Sequence, residues 1–235
     1  RRIGLSQSGV IQAFNKHGRR EMLEWCDKAY DYVQEIDKEF SDWLCVPRSK
    51  RTTSIKPSGT VSLLNGSTPG IHYPEAEYYI RRIRFSIGNS ILRAIEEAGY
   101  HIEKDAYSPN TMVASFPVHE PFFQKGKNEA TMWEQLEIAA AYQHYWADNS
   151  VSVTVTFKAD EAKDIKTALE MYESRLKAVS FLRYQETGYE QAPYEPITKE
   201  QYEEMMVGVT PIQRIKTEEQ GAGTVFCDGD SCEIG

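Results

Sequence analysis

The sequence has few cysteines and no long apolar run, and each shortage excludes a class of protein. Four cysteines in 235 residues are too few for a secreted scaffold held together by disulfides. No segment approaches the ~20 consecutive apolar residues that a transmembrane helix requires, so we expect no membrane partner. The first residues also lack the basic and then apolar pattern of a signal peptide. We therefore expect a cytoplasmic protein.

Positive charge is also in short supply. Lys and Arg total 27 against 35 Asp and Glu, which gives a net charge of -8. A protein that binds nucleic-acid polymers needs a basic face, so the charge argues against that class and leaves a local phosphate site open. The sequence starts at Arg1 without an initiator methionine, and we expect an upstream part of the same protein before it.

Hydrophobic periodicity predicts a mixed α/β protein. Helices are expected where apolar residues recur at three- and four-residue steps, and strands where they alternate. The predicted helices are residues 5–15, 19–40, 75–98, 129–147, 160–175 and 198–206, and the predicted strands are 51–56, 111–118, 150–157 and 177–183. The order of strand 150–157, helix 160–175 (with Asp160 as its N-cap) and strand 177–183 predicts a βαβ unit with parallel pairing. Periodicity is lost after residue 207, so residues 208–235 are predicted to be a flexible tail.

Two cysteines, Cys227 and Cys232, lie in this tail with four residues between them, and one of these, Gly229, permits a turn. A disulfide there would close a very small loop and would stabilise little. A dithiol on a tail suits a redox carrier that exchanges with another disulfide. Two ordinary exposed cysteines, or half of a metal site, remain alternatives. No histidine follows His144 to complete such a site, and we predict no metal site.

The run from Lys56 to Ser62 joins a predicted strand to an apolar helical start through small residues. A helix that starts there would place its unpaired backbone N–H groups, and two or three side-chain hydroxyls, at one point. Such a point binds an anion, typically phosphate. The spacing is not that of a Walker loop, and an ordinary strand–turn–helix connector is the alternative.

Three further residues, His72, Cys26 and Cys45, have side chains of types that can take part in catalysis. His72, in the Pro- and Gly-rich loop 66–74, is a candidate general acid or cofactor neighbour. An ordinary capped loop is the alternative. Cys26 lies on the apolar face of a predicted helix and Cys45 lies between Leu44 and Val46, so both are predicted to be buried packing residues.

Several of these segments together resemble one family, the adenosylcobalamin-dependent (class II) ribonucleotide reductases. The closest likeness is to the monomeric ribonucleoside-triphosphate reductases. The matching segments are RIGLSQSG at 2–9, SIKPSGTVSLL at 54–64, GSTPGIHYP at 66–74, DNSVSVT at 148–154, LKAVS at 176–180 and the terminal cysteine pair. They extend over nearly the whole chain, and as a set they are specific.

The resemblance implies a ten-stranded α/β barrel, of which residues 1–207 would supply the C-terminal part and residues 208–235 a flexible tail. It implies reduction of the ribose 2′-hydroxyl of a ribonucleoside triphosphate, which provides deoxyribonucleotides for DNA replication. Cobalt–carbon homolysis in adenosylcobalamin would start this chemistry by making a thiyl radical. Ser58, Gly59 and Thr60, with the Val61 amide, would hold the substrate phosphates. Cys227 and Cys232 would carry electrons from thioredoxin to the active-site disulfide.

The sequence departs from the reductase patterns in two ways, of which one indicates the subclass and the other limits what the chain can do. Oxygen-dependent reductases have a tyrosine pair for radical transfer where this chain has Ser180 and Phe181, which favours a locally generated radical. The constellation of radical cysteine, glutamate and asparagine is absent, and neither Cys26 nor Cys45 supplies it. We expect that constellation, the second active-site cysteine and the allosteric site to lie upstream of Arg1.

Three alternatives remain. The first is a class II reductase that acts on ribonucleoside diphosphates. The second is a catalytically inactive nucleotide-binding remnant of the barrel, for which the dithiol tail would have no use. The third is an independent thiol–disulfide exchange protein, which the lack of a CxxC motif at a helix N-terminus disfavours.

Overall fold

The computed structural model describes residues 3–59, 61–62, 66–184 and 190–212. Thr60, Cys227 and Cys232 lie outside the described residues, as does most of the predicted tail. The six helices described are α1 Val10–His17, α2 Arg19–Trp43, α3 Ile91–Glu97, α4 Met132–Tyr145, α5 Ile165–Tyr172 and α6 Lys199–Met206. The six strands described are β1 Tyr78–Ser86, β2 His101–Lys104, β3 Thr111–His119, β4 Thr154–Phe157, β5 Ser180–Arg183 and β6 Tyr194–Pro196. In these ranges no helix has both the length and the apolar character needed to cross a membrane.

Helix α4 forms the centre of the main core, and it lies within the predicted helix 129–147. Its N-terminus is fixed by a capping box in which Thr131 and Glu134 satisfy each other's backbone amides. Its buried residues pack with α1, α2 and β4, and include Met132, Leu136, Ala139 and Tyr142. Gln135 is also buried, and its side-chain amide exchanges two hydrogen bonds with the backbone of Thr156, which joins α4 to β4.

Beside α4, four extended segments run parallel to one another. β4 pairs with β5 in parallel, with Thr154 opposite Ser180, so the predicted βαβ pairing is confirmed. Isolated parallel bridges add Ile55 beside Val151 and Leu5 beside Thr53. The predicted strand 51–56 is therefore an extended segment held by single bridges. These parallel segments and helices form an α/β arrangement, and they do not by themselves close a barrel.

Helix α5 begins later than the sequence pattern predicts. A short 3-10 turn, Ala162–Asp164, precedes it, and Asp164 occupies its N-cap position. The predicted N-cap at Asp160 is therefore wrong.

The predicted helix over residues 75–98 is also wrong, because this segment contains β1 followed by the short helix α3. Tyr79, Ile83 and Ile87 are spaced by four residues, and that spacing satisfies both a helical period and the period of two of a strand. Pairing on both sides decides the outcome. β1 lies between β3 and β6 in an antiparallel sheet of order β2-β3-β1-β6. Gly88, at φ 90°, follows β1 before α3 begins.

The arginines of β1 hold the segment that leads into β6. Arg81 and Arg82 donate to the carbonyls of Pro193 and Ala192, each over 3.0 Å. Arg84 donates to the Gln191 carbonyl over 3.2 Å. These contacts make the basic residues of β1 part of the sheet's structure.

Helix α6 lies against the same sheet, with the Tyr202 ring 5.2 Å from that of Tyr78. The described chain continues to residue 212, and the Thr210 amide donates to the Ala98 carbonyl over 2.8 Å. The division of the chain at residue 207 stays a prediction.

Candidate functional site

The predicted phosphate-binding segment forms a tight turn after Lys56. Ser58 has φ 47°, in the left-handed region that non-glycine residues rarely adopt. The Ser62 amide donates to the Ser58 carbonyl over 2.9 Å and closes the turn. Turns of this kind aim successive backbone N–H groups toward one side, where they can receive an anion.

Serines of the N-terminal segment lie against this turn. The hydroxyls of Ser8 and Ser58 are hydrogen-bonded to each other. The Lys56 amide donates to the Ser6 hydroxyl over 2.9 Å. Ser6 and Ser8 lie about fifty residues from the turn in sequence, and the motif RIGLSQSG that contains them supports the family resemblance without indicating this contact.

The outer side of the turn is open. A Cβ atom built on Gly59 meets no atom within 4 Å, and Val61 is 65% exposed. No acceptor among the described residues contacts the Gly59 or Val61 amide. The Gly59 and Val61 amides therefore remain available as donors beside open space at Gly59, which suits a phosphate group.

The loop 66–74 is hydrogen-bonded to the turn and to the start of α1. The Ser67 amide donates to the Ser62 carbonyl over 3.0 Å, and the Val10 amide at the start of α1 donates to Gly70 over 3.3 Å. Gly70 has φ 53°, and a Cβ atom there would lie 2.6 Å from the Lys56 carbonyl oxygen. The sequence needs glycine at this position because the loop approaches the backbone of Lys56 so closely.

His72 fixes this loop to β4. Its Nε2 accepts a hydrogen bond from the Thr154 amide over 3.2 Å, so the proton lies on Nδ1, which is 3.0 Å from the Pro69 carbonyl. Burial lowers the pKa of His72 below its ordinary value. Both ring nitrogens are used within the protein, and the structure favours the capped-loop interpretation over a general acid.

Asp148 is a positioning residue that the sequence reasoning missed. Its carboxylate accepts hydrogen bonds of 3.0 Å from the amides of both Thr52 and Thr53. The indole of Trp146 donates to the Ser54 carbonyl over 3.0 Å. The segment that leads into the turn after Lys56 is thereby fixed to the C-terminal end of α4. The motif DNSVSVT contains Asp148, but no feature of its spacing indicates this contact.

The two described cysteines have different surroundings. Cys26 is buried beside Gln7 and Tyr142, with its sulfur 3.7 Å from the tyrosine hydroxyl, and burial raises the pKa of its thiol. Its prediction as a packing residue is confirmed. The same prediction for Cys45 is wrong, because Cys45 is exposed. It has φ 52° and follows the end of α2, where the chain turns away from the core.

No family model matches this chain. It is 41% identical to a probable adenosylcobalamin-dependent ribonucleoside-triphosphate reductase of Dictyostelium discoideum, over 100% of this chain and 32% of the relative. It is 42% identical to the adenosylcobalamin-dependent ribonucleoside-triphosphate reductase of Euglena gracilis, over 99% of this chain and 33% of the relative. The chain therefore spans about a third of the length of these relatives.

A solved structure gives the same result. The crystal structure of a B12-dependent (class II) ribonucleotide reductase superposes with a TM-score of 0.82 at 31% identity. The match covers 89% of this chain and 33% of that one.

Proposed function

Because this chain belongs to the family of adenosylcobalamin-dependent (class II) ribonucleotide reductases, we propose that it supplies the substrate-phosphate site of such an enzyme. The enzyme reduces ribonucleoside triphosphates to 2′-deoxyribonucleotides, and this chain forms the C-terminal part of its barrel. The observation that carries the proposal is the open backbone at Gly59, beside the hydrogen-bonded hydroxyls of Ser8 and Ser58.

The chemistry of this turn suits a polyphosphate in an acidic chain. With a net charge of -8, the protein does not attract phosphate by its overall charge. Binding then depends on local donors, and backbone N–H groups at a turn supply them without a basic face. Ser58, Gly59, Thr60 and the Val61 amide bind the phosphates, and the surrounding loop holds the turn in one position. The role of the described residues is to bind and orient the nucleotide.

Adenosylcobalamin supplies the initiating radical through cobalt–carbon homolysis when it is bound. Both ring nitrogens of His72 are already used within the protein. Across the described ranges, no three His, Cys, Asp or Glu side chains cluster in a way that could hold a metal ion. We assign no described residue to the cofactor and derive no step through it.

The aromatic residue of β5 is consistent with a locally generated radical. Phe181 lies opposite Val155 in the β4–β5 pair, and its ring is 6.4 Å from that of Phe157. A phenylalanine has no phenolic hydroxyl and cannot form the tyrosyl radical used for long-range transfer. This position therefore supports a class II mechanism for the enzyme.

We also propose that Cys227 and Cys232 carry electrons to the active site. Their oxidation to a disulfide releases two electrons and two protons, which reduce the active-site disulfide formed in each turnover. Thioredoxin then reduces the Cys227–Cys232 disulfide by thiol–disulfide exchange. The support for this role is the position of the pair in the sequence, since both residues lie outside the described part of the chain.

The phosphate site is tested by Gly59→Ala in an enzyme that contains this chain. A methyl group at Gly59 meets no protein atom within 4 Å, so the fold is retained while the approach of phosphate is hindered. We expect KM for the ribonucleoside triphosphate to rise about tenfold with kcat nearly unchanged, because phosphate contacts stabilise bound substrate and transition state alike. Gly4→Ala is the matched control, since its nearest contact is an ordinary 3.8 Å. An unchanged KM in Gly59→Ala contradicts the proposal.

The unsubstituted enzyme distinguishes the triphosphate from the diphosphate alternative when KM and kcat are measured for both substrates. A lower kcat/KM for the triphosphate than for the diphosphate would replace the proposed substrate with the alternative.

The electron-transfer role is tested by Cys227→Ser. We expect turnover with thioredoxin to be lost and turnover with a small dithiol to persist, because a small dithiol reaches the active site directly. Cys45→Ser is the control, since Cys45 is exposed and lies far from the pair in sequence. Equal loss with both reductants would show that Cys227 is not a carrier.

A further inference from the structure

A buried carboxyl group lies at the end of β3, close to α1. Glu120 is only 3% exposed, and its backbone amide donates to the Glu77 carbonyl over 2.8 Å. The Glu120 carboxyl accepts a hydrogen bond from the side-chain amide of Gln12 in α1. A buried carboxyl group is costly unless hydrogen bonds compensate for the lost water, so the contact with Gln12 is energetically important.

Gln12 uses the same amide group to hold the loop behind the phosphate-binding turn. Its Nε2 donates to the Gly66 carbonyl over 3.1 Å, and its Oε1 accepts from the Thr68 amide over 3.2 Å. A Cβ atom built on Gly9 would lie 2.8 Å from this Oε1. The Gln12 side chain is therefore closely confined, and it is hydrogen-bonded to the backbone of both Gly66 and Thr68.

The loop segment 66–68 is in turn bonded to the turn itself. Ser67 donates to the Ser62 carbonyl through its amide over 3.0 Å and through its hydroxyl over 3.2 Å. The Ser62 amide donates to the Ser58 carbonyl over 2.9 Å. Hydrogen bonds and short covalent links thus connect Glu120 to Ser58, although these residues are 62 positions apart in the sequence.

We propose that Glu120 and Gln12 are positioning residues that hold the phosphate-binding turn in the geometry that receives the substrate. This inference rests on the function proposed above. Neither residue is proposed to touch the substrate. Their effect reaches the substrate through the loop 66–68 and the Ser62 carbonyl, so it concerns substrate binding and not the reduction step.

The protonation state of Glu120 provides a readout that a purely structural pair would not show. Burial raises the pKa of Glu120 to about 7, so the carboxyl is neutral at lower pH. Ionisation places a charge in the buried site and favours the entry of water. Tyr79 of β1 is a titratable group that interacts electrostatically with Glu120, and Glu75 interacts with the same tyrosine. Burial raises the pKa of Tyr79, so it stays neutral, and α1 contributes the uncharged Gln12.

The test compares KM for the ribonucleoside triphosphate across pH in the full enzyme and in Glu120→Gln. Glutamine has the shape and hydrogen-bonding capacity of the neutral carboxyl but cannot ionise. We expect KM of the unsubstituted enzyme to rise about three- to tenfold between about pH 6 and pH 8, relative to Glu120→Gln. The substrate phosphates titrate in the same range but do so with both enzymes, so the ratio of the two KM values isolates Glu120.

A second variant and the Gly59→Ala measurement distinguish failure of the positioning role from failure of the proposed phosphate site. Glu120→Ala removes the acceptor for Gln12, and we expect a raised KM at every pH with kcat at saturation retained. If it does not fold, the pH profile of Glu120→Gln decides alone. An unchanged KM in Gly59→Ala would overturn the proposed phosphate site itself. A raised KM in Gly59→Ala, together with parallel pH profiles for Glu120→Gln and the unsubstituted enzyme, would overturn only the positioning role.

Discussion

Substitution of Gly70 by alanine should destabilise the fold more than an ordinary glycine substitution. Gly70 has φ 53°, and an added Cβ atom would lie 2.6 Å from the Lys56 carbonyl oxygen and 3.4 Å from the Ile55 side chain. The left-handed backbone alone costs a residue with a Cβ atom about 1–2 kcal/mol. The contact with the Lys56 carbonyl adds to this, because backbone atoms cannot rotate away as a side chain can. We expect Gly70→Ala to lower the free energy of unfolding by about 2–4 kcal/mol.

Denaturant unfolding of Gly70→Ala and Gly66→Ala separates the two contributions. Gly66 has φ 64°, but a Cβ atom there meets nothing within 4 Å, so its substitution adds backbone strain alone, about 1–2 kcal/mol. The difference between the two variants measures the close approach of the loop to Lys56. An equal loss of unfolding free energy in both variants would refute the reasoning that loop 66–74 packs closely against the backbone of Lys56.

Three further predictions concern stability and reactivity. Thr131→Ala removes the capping box of α4 and should lower the free energy of unfolding, measured by thermal melts, by about 1 kcal/mol. Thr198→Ala removes the capping box of α6, a helix with no buried residue, and should have a smaller effect in the same measurement. In the native protein, iodoacetamide should alkylate Cys45 well before Cys26, because Cys45 is exposed and burial raises the pKa of the Cys26 thiol. Peptide mass spectrometry measures the two rates, and equal rates would contradict the burial of Cys26. The pKa of Glu120 is about 7 when folded and 4.5 ordinarily, so the unfolded chain releases this proton first and stability falls as pH rises between those values, by at most about 3 kcal/mol. Glu120→Gln should lack this decline in denaturant unfolding, and an unchanged pH dependence would contradict the shifted pKa.

The predictable parts of the fold are those in which local sequence and tertiary packing agree. Helix α4 has a capping box and buried residues around most of its circumference, and the pairing of β4 with β5 follows from the strand–helix–strand order. The segment containing β1 was mistaken for a helix because its four-residue spacing fits both periods. Only its pairing with β3 and β6 selects the strand, and that pairing is not written in the local sequence.

The candidate site is likewise only partly predictable from the local sequence. A run of small residues between apolar segments predicts that Ser58 and Gly59 form an anion-binding turn, and that role stays a prediction. Ser8, Gln12 and Glu120 were not found, because they come to the turn from other parts of the chain. His72 looked reactive by residue type, yet both its ring nitrogens are used to fix a loop. Cys45 looked buried between apolar neighbours, and the turn at the end of α2 leaves it exposed.

The most direct test of the central claim is the formation of deoxyribonucleotide by an enzyme that contains this chain. Purified enzyme is incubated with a ribonucleoside triphosphate and a small dithiol, with and without adenosylcobalamin, and the nucleotides are separated by chromatography. We predict that the 2′-deoxyribonucleoside triphosphate forms only when adenosylcobalamin is present, and that Gly59→Ala requires a higher substrate concentration to reach the same rate. Absence of deoxyribonucleotide under these conditions, or equal formation without the cofactor, would contradict the proposed function.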